Sequence, residues 1–278
     1  MSLENAGTIV AAAAHDGTGV AAFNVITVEH AEAIVAGAEL AGLPVILQIS
    51  QNAVKFHGWR LGPIAAASHA VAEAAAVPVA LHLDHVERDE LLRQAPDHGF
   101  GSVMYDASTL PHDQNVAATR AAVAYAHAHG LWLESELGEV GGKDGAHAPG
   151  VRTDPEQAAA YVAATGVDAL AVAVGSSHAM TSQTAELDLA LIGRLRDAVP
   201  VPLVLHGSSG VPDDALVTAV RAGMVKVNIG TALNVAYTGA VREYLERNPR
   251  TVDPRKYLAR ARDAVAELVA HYCRLLAS

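Results

Sequence analysis

The sequence predicts an α/β fold, a closed TIM (β/α)8 barrel carrying one extra C-terminal helix. Three observations carry that reading. Eight short apolar runs alternate with longer Ala-rich stretches, no long linker interrupts them, and 278 residues suit a barrel of roughly 250. A doubly wound open sheet would use the same alternation, but eight units favour closure. With no boundary in view, residues 1–278 read as a single domain.

The elements follow in order. Residues 21–25 and 45–50 form the first two strands. Between them, residues 28–42 place Ala31, Ile34, Val35, Ala38 and Ala41 on one helical face, with Gly42 as a C-terminal stop. The remaining strands are expected at 79–85, 102–108, 131–138, 169–178, 201–207 and 224–230. Most are rich in Val, Leu or Ile and too short for helices, as befits strands buried on both faces. Thr153-Asp154-Pro155-Glu156 reads as a helix start, an oxygen-bearing cap before a first-turn Pro and an acid. Pro212-Asp213-Asp214 repeats the Pro-and-acid part without such a cap, and the extra helix falls at about 254–276.

Composition narrows the function classes. Hydrophobic residues make up 51% and charged ones 18%, which supports a large core and excludes a disordered chain. The lone Cys273 excludes a cysteine-cluster metal site and favours a reducing cytoplasm. A net charge of −11 argues against nucleic acid and against an anionic membrane surface. No apolar run approaches the roughly 20 residues of a membrane span, and residues 1–5 lack the basic and apolar regions of a leader.

In this fold catalytic groups gather where strands end and the following loops begin. Strand three ends Leu83-Asp84-His85, strand six Ser176-Ser177-His178, and strand seven Leu205-His206-Gly207. Three histidines at three strand ends can converge on one cation, since imidazole nitrogens suit Zn²⁺ and three protein ligands leave a position open. His82 lies earlier on its strand and fits a hydrogen-bonded interior role. Asp84 and Asp106 stand at the same level, and Glu134 and Glu136 alternate so that both point one way. Such acids serve as general bases, as holders of a second cation, or as structural acceptors. The loops after strands seven and eight, His206-Gly207-Ser208-Ser209-Gly210 and Asn228-Ile229-Gly230-Thr231, occupy the usual phosphate position of the fold. Residues 138–152 hold five glycines and no core pattern; they read as a lid carrying Glu139 or Asp144, or as a plain insertion.

Several of these segments together resemble a known family. Ala22-Phe23-Asn24-Val25, the Leu-Asp-His of strand three, Glu134-Ser135-Glu136-Leu137-Gly138 with Gly141-Gly142, Thr153-Asp154-Pro155-Glu156, His206 through Val211, and Asp253-Pro254-Arg255-Lys256-Tyr257 look like class II, metal-dependent ketose-bisphosphate aldolases. The resemblance runs in order along nearly the whole chain. It implies retro-aldol cleavage of fructose 1,6-bisphosphate, or of the tagatose epimer, to dihydroxyacetone phosphate and an aldehyde. It implies His85, His178 and His206 as ligands of a catalytic Zn²⁺, Asp84 as acid/base at the C4 hydroxyl, and Asp144 as the lid acid. Asp106 and Glu136 match acids of a second cation position, divalent or monovalent. Asn24, Gln48, Ser50 and Asn228 match substrate contacts, Gly207, Ser209 and Thr231 phosphate contacts, and Arg255 a region near the distal phosphate. The implied partner is a small sugar phosphate, and the implied assembly a homodimer or homotetramer.

The chain departs from the family in places. Asp144 stands where a lid glutamate is usual, and Ser182 where a phosphate-holding lysine is usual. Gly230 replaces a frequent acid and looks closer to the tagatose type. From a different class, a non-catalytic relative that binds metal and sugar phosphate would carry the same histidines.

Overall fold

The computed structural model describes residues 2–137, 151–177 and 180–278. Eight parallel strands pair in chain order and close into a barrel: β1 (Val20–Asn24), β2 (Val45–Ser50), β3 (Val79–Val86), β4 (Ser102–Tyr105), β5 (Trp132–Glu136), β6 (Ala169–Ala171), β7 (Leu203–Leu205) and β8 (Met224–Ile229). The closing pair is β8 with β1, in register at Ala22 and Asn228. Around it run α2 (Val28–Ala41), α3 (Gln51–Phe56), α4 (Leu61–Glu73), α5 (Asp89–Gln94), α6 (His112–Ala128), α7 (Pro155–Thr165), α8 (Leu189–Ala198), α9 (Asp213–Ala222) and α10 (Thr231–Arg247). The predicted barrel is the one observed.

Local chemistry sets the helix limits. Gly42 ends α2 in the left-handed conformation, its N–H returning to Ala38 and Glu39. Asp154 caps α7 by accepting from the N–H groups of Glu156 and Gln157, with Pro155 at the first helical position. Several strands, among them β4 to β7, are shorter than their apolar runs, and for two the cause is local. β6 stops at Ala171 because Ala173 exchanges its backbone bonds with Thr153, while the Val174 carbonyl accepts from Asp188 N–H. β7 begins at Leu203 because Pro202 has no N–H to give to a ladder.

The barrel interior is divided by height. Its lower part is apolar, with Val20, Ala22, Ile46, Ala80 and Val225 packed against Ala6, Ile9, Val10 and Ala13 of α1 (Ala6–Asp16). This first helix plugs the N-terminal end of the barrel and was not anticipated from the Ala-rich segment. Its signal was the pair of ends: Asn5 accepts from Gly7 N–H at 2.8 Å, and Gly17 closes the helix in the left-handed region. The upper part is polar, and Gln48, His82, Asp84, Glu134, Glu136, His206, Lys226 and Asn228 are all buried there. Burying so many polar groups is costly unless they satisfy one another, which marks the C-terminal mouth as the working end.

The extra helix, α11 (Pro254–Leu276), starts on an Asp253 cap and packs Val265, Ala266 and Val269 toward α2. Gly37 makes the approach possible, because a Cβ there would stand 2.5 Å from the Ala266 carbonyl oxygen and 2.6 Å from Val269 Cβ. Two effects compete in Gly37→Ala. Helix propensity favours alanine by roughly 0.5–1 kcal/mol, whereas overpacking a tight contact costs about 1–3 kcal/mol. We expect the clash to win, with calorimetry showing a melting temperature lowered by a few degrees; an unchanged or raised value would mean that α11 is free to shift.

Candidate active site

The strand-three end departs from strand regularity in a way that builds the site. Alternation turns Asp84 inward, where it is 2% exposed. In a regular strand His85 would then face the helices. Between the pairs Leu83–Val103 and Val86–Tyr105, however, β3 holds one residue more than β4, and His85 adopts a φ of 48°. A bulge of this kind re-aims a side chain, and a non-glycine residue at positive φ persists only where its surroundings hold it. Consecutive residues therefore line the same cavity.

His85 is held from behind. Its Nδ1 lies 2.9 Å from Asp106 Oδ2, while Asp106 Oδ1 accepts from Ser108 N–H at 3.1 Å and Ser108 Oγ at 2.6 Å. His206, fully buried at the end of β7, is held in the same way, with Nε2 2.9 Å from Glu134 Oε1. A carboxylate only accepts, so in each ring the nitrogen facing the acid carries the hydrogen. The other two nitrogens, His85 Nε2 and His206 Nδ1, face each other at 3.1 Å, with the rings nearly perpendicular. Without a cation, only a proton can relieve that approach. Burial works against a charged His85, but Asp84, the bond to Asp106 and the Glu136 carboxylate outweigh it and raise its pKa to about 10. Burial likewise works to raise Asp106, but its bonds to His85 and Ser108 hold it well below the usual carboxylate range. Burial raises Asp84, against the pull of His85 and Lys226.

The donor set fits a divalent cation. Ligand atoms of Asp84, His85 and His206 all lie within 4.8 Å of one another. The 3.1 Å between the two ring nitrogens is close to the edge, about 3.3 Å, of a tetrahedron with zinc–nitrogen bonds near 2.0 Å. Asp84 Oδ1 is buried with no hydrogen-bond partner among the described residues. His85, Asp106 and Glu136 form a second such group, sharing His85 with the first. The third expected ligand, His178, and the expected lid acids Asp144 and Glu139 lie outside the described residues. His82 is fully buried and bonds Ser102 Oγ through Nδ1 at 2.8 Å, the interior role its position predicts.

A cavity of about 200 Å³ opens above these groups. The expected contacts Asn24, Gln48, Ser50, Gly207, Ser209, Asn228 and Thr231 all line it, as does Gly230 of the strand-eight loop; Asn52, Ser177 and Asn234, which the sequence reading missed, line it too. Asn234 was accessible to it, lying one helical turn beyond Thr231. Gly207 takes a φ of 67°, and a Cβ there would meet the Ser177 backbone at 2.6 Å, so the turn requires glycine. Ser209 Oγ accepts from Ala232 N–H at 3.1 Å and ties this turn to the start of α10. The cavity floor at Ser209, Gly230 and Thr231 thus meets the N-terminus of a 17-residue helix, a favourable place for an anion. Arg255 does not reach the cavity; its exposed guanidinium is bonded to Asp253. Ser182 is exposed and does not line it either. Arg152 comes to the segment that follows β6, with Nη2 3.2 Å from where a Gly175 Cβ would stand.

The chain and its barrel resemble known proteins. A family model described as fructose-bisphosphate aldolase class-II matches residues 4–278. A fructose-bisphosphate aldolase of Geobacillus stearothermophilus is 40% identical over 250 residues, covering 89% of this chain and 87% of its own. One from Thermus caldophilus is 38% identical over 290 residues, 95% of this chain and 94% of its own. Among solved structures, the YdjI aldolase of Escherichia coli K12 superposes with a TM-score of 0.86 at 33% identity, covering 99% of this chain and 98% of its own. With a closed eight-stranded barrel, a histidine–acid cluster at its mouth and a family match across the chain, this protein belongs to the class II fructose-bisphosphate aldolases, a family of metal-dependent carbon–carbon lyases.

Proposed function

We propose that this chain reversibly cleaves fructose 1,6-bisphosphate to dihydroxyacetone phosphate and glyceraldehyde 3-phosphate, with Zn²⁺ held by His85, His206 and His178. The observation that carries the reading is the 3.1 Å approach of two imidazole nitrogens, each ring backed by a carboxylate, beside a buried Asp84. When bound, the cation supplies Lewis-acid stabilisation of the negative charge that develops as C3–C4 breaks. The chain's own residues do the rest. Asp84 accepts the C4 hydroxyl proton; the C4–O electrons form the aldehyde carbonyl, and the C3–C4 pair passes to the dihydroxyacetone phosphate half. A proton returned to C3 completes the product, and Asp144, with Glu139 the next candidate, is the proposed donor. Asn24, Gln48, Ser50 and Asn228 orient the sugar oxygens. Gly207, Ser209 and Thr231 hold the first phosphate at the α10 N-terminus, and Asp106 and Glu136 flank a second cation position beside His85. We place the enzyme in the cytoplasm as a homodimer or homotetramer, the arrangement in which Arg255 can serve a neighbouring subunit.

The tagatose epimer is the second reading, and Gly230 favours it. A Cβ there would press on Asn24 at 3.0 Å, so the acid frequent in the fructose type could not stand here without moving a cavity residue. Comparing kcat/KM for the two epimers decides between them.

Chelation should abolish cleavage, with Zn²⁺ or Co²⁺ restoring it, and borohydride with substrate should not inactivate. Activity that survives rigorous metal removal, or a trapped lysine adduct, would overturn the metal-dependent mechanism. A non-catalytic binder would hold metal without turnover in the same experiment. Asp84→Asn should keep its metal while turnover falls by roughly 10²–10⁴, the usual worth of a positioned base. Loss of metal along with activity would instead make Asp84 a ligand.

The absent lysine bears on phosphate grip. A charge-assisted contact is worth about 1.5–3 kcal/mol, so its loss should weaken dihydroxyacetone phosphate binding by roughly 10–100-fold, with Ser182→Lys regaining affinity. Calorimetric titration of wild type, Ser182→Lys and Arg152→Ala checks this. Tight wild-type binding that collapses in Arg152→Ala would show that Arg152 has taken the lysine's place.

A further inference from the structure

Beneath the cavity, a buried ammonium stands behind the site without lining it. Lys226 is fully buried on β8, two residues before Asn228 and on the same strand face. Its Nζ donates to Glu134 Oε2 at 2.7 Å and to Asn228 Oδ1 at 2.8 Å. Glu134 is itself fully buried, and its other oxygen is the one that backs His206 Nε2. One cation therefore sits behind both a histidine and an asparagine of the site.

We propose that Lys226 is a positioning residue that fixes which nitrogen of His206 faces the metal site and which end of the Asn228 amide faces the substrate. This rests on the reading of His206 as a metal ligand. The first half follows from donor arithmetic. Asn228 Nδ2 lies 3.0 Å from His206 Nε2, and Glu134 Oε1 lies 2.9 Å from the same atom. Nε2 cannot serve both: with its hydrogen it bonds the carboxylate, without it the amide. The charge on the carboxylate decides, since facing a bare lone pair would leave a buried anion short of a donor. Nε2 keeps its hydrogen, and Nδ1 is the nitrogen offered toward His85. Lys226 keeps Glu134 in place for this, because a buried carboxylate stays where a counter-charge holds it.

The second half follows from the same ammonium. Lys226 can only donate, so the Asn228 atom facing it must be Oδ1. The amide nitrogen is thereby the end turned away from Lys226, 3.0 Å from His206 Nε2. In a side chain that lines the cavity it is the end that can meet substrate as a donor, suited to an oxygen gaining negative charge. Methionine at 226 would match the length of the lysine, remove both bonds, leave Glu134 without its counter-charge and free the amide to turn.

The test compares Zn²⁺ affinity, by competition with a chromophoric chelator, in the full-length wild type, His206→Ala, Lys226→Met and the neutral pair Glu134→Gln/Lys226→Met. The Co²⁺ absorption spectrum and the division between KM and kcat are read alongside. Outer partners of metal-bound histidines typically carry 10–100-fold in affinity. Lys226→Met should lose about that much, shift the Co²⁺ bands, and lower kcat more than it raises KM. The neutral pair, in which the amide carbonyl introduced by Glu134→Gln can still accept from His206 Nε2, should hold zinc within about tenfold of wild type. Zinc retained in His206→Ala would overturn the metal-site reading itself. Zinc lost in His206→Ala but bound normally by Lys226→Met, with an unchanged Co²⁺ spectrum, would overturn this proposal alone. Should Lys226→Met fail to fold, the neutral pair decides, and a loss beyond tenfold there counts against the proposal.

Discussion

Two imidazole nitrogens 3.1 Å apart, each ring fixed from behind by a carboxylate, are the constraint on which the rest of this site depends. Left alone, two lone pairs do not approach so closely; something positive must lie between them. The surrounding acids make a proton acceptable there, and the spacing and donor types make a divalent cation more so. Asp84 beside the pair, the asparagines and Gln48 around it, and the α10 N-terminus across from it then define where a polar, anionic substrate can lie.

The barrel serves this constraint by separating its two ends. α1 closes the lower end with alanines and aliphatic side chains packed against apolar residues of the strands. The upper interior carries charge at every level, from Lys226 and Glu134 below to His85 and Asp106 above. A buried ion pair is weak support for stability, since the desolvation of both partners offsets most of their attraction. Its retention in the centre of a barrel makes sense as orientation: it holds rings and amides in one arrangement before substrate arrives, so that little reorganisation is left for the reaction.

The architecture was legible in the sequence because it rests on local, periodic signals. Eight apolar runs, the Gly42 stop and the Asp154-Pro155 start each follow from the immediate neighbourhood of a few residues. The placing of His85 and His206 at one mouth was legible because the topology of the fold gathers strand ends there. What escaped was non-local or exceptional. The bulge at His85 depends on pairing with β4, and no alternation rule announces it. The Lys226–Glu134 bond joins residues 92 positions apart, and a lysine within an apolar run reads equally well as a strand edge. β6 ended early because Thr153 and Asp188 captured its backbone, partners that its own sequence does not name. Arg255 followed the family pattern in sequence yet stands away from the cavity of its own chain.

Zinc K-edge X-ray absorption on the purified, zinc-loaded protein tests the central claim most directly, because it reads the ligands and not the activity. The account predicts nitrogen and oxygen scatterers at about 2.0–2.1 Å with the outer-shell pattern of at least two imidazoles and no sulfur. A first shell of oxygen alone, without imidazole scattering, would contradict it.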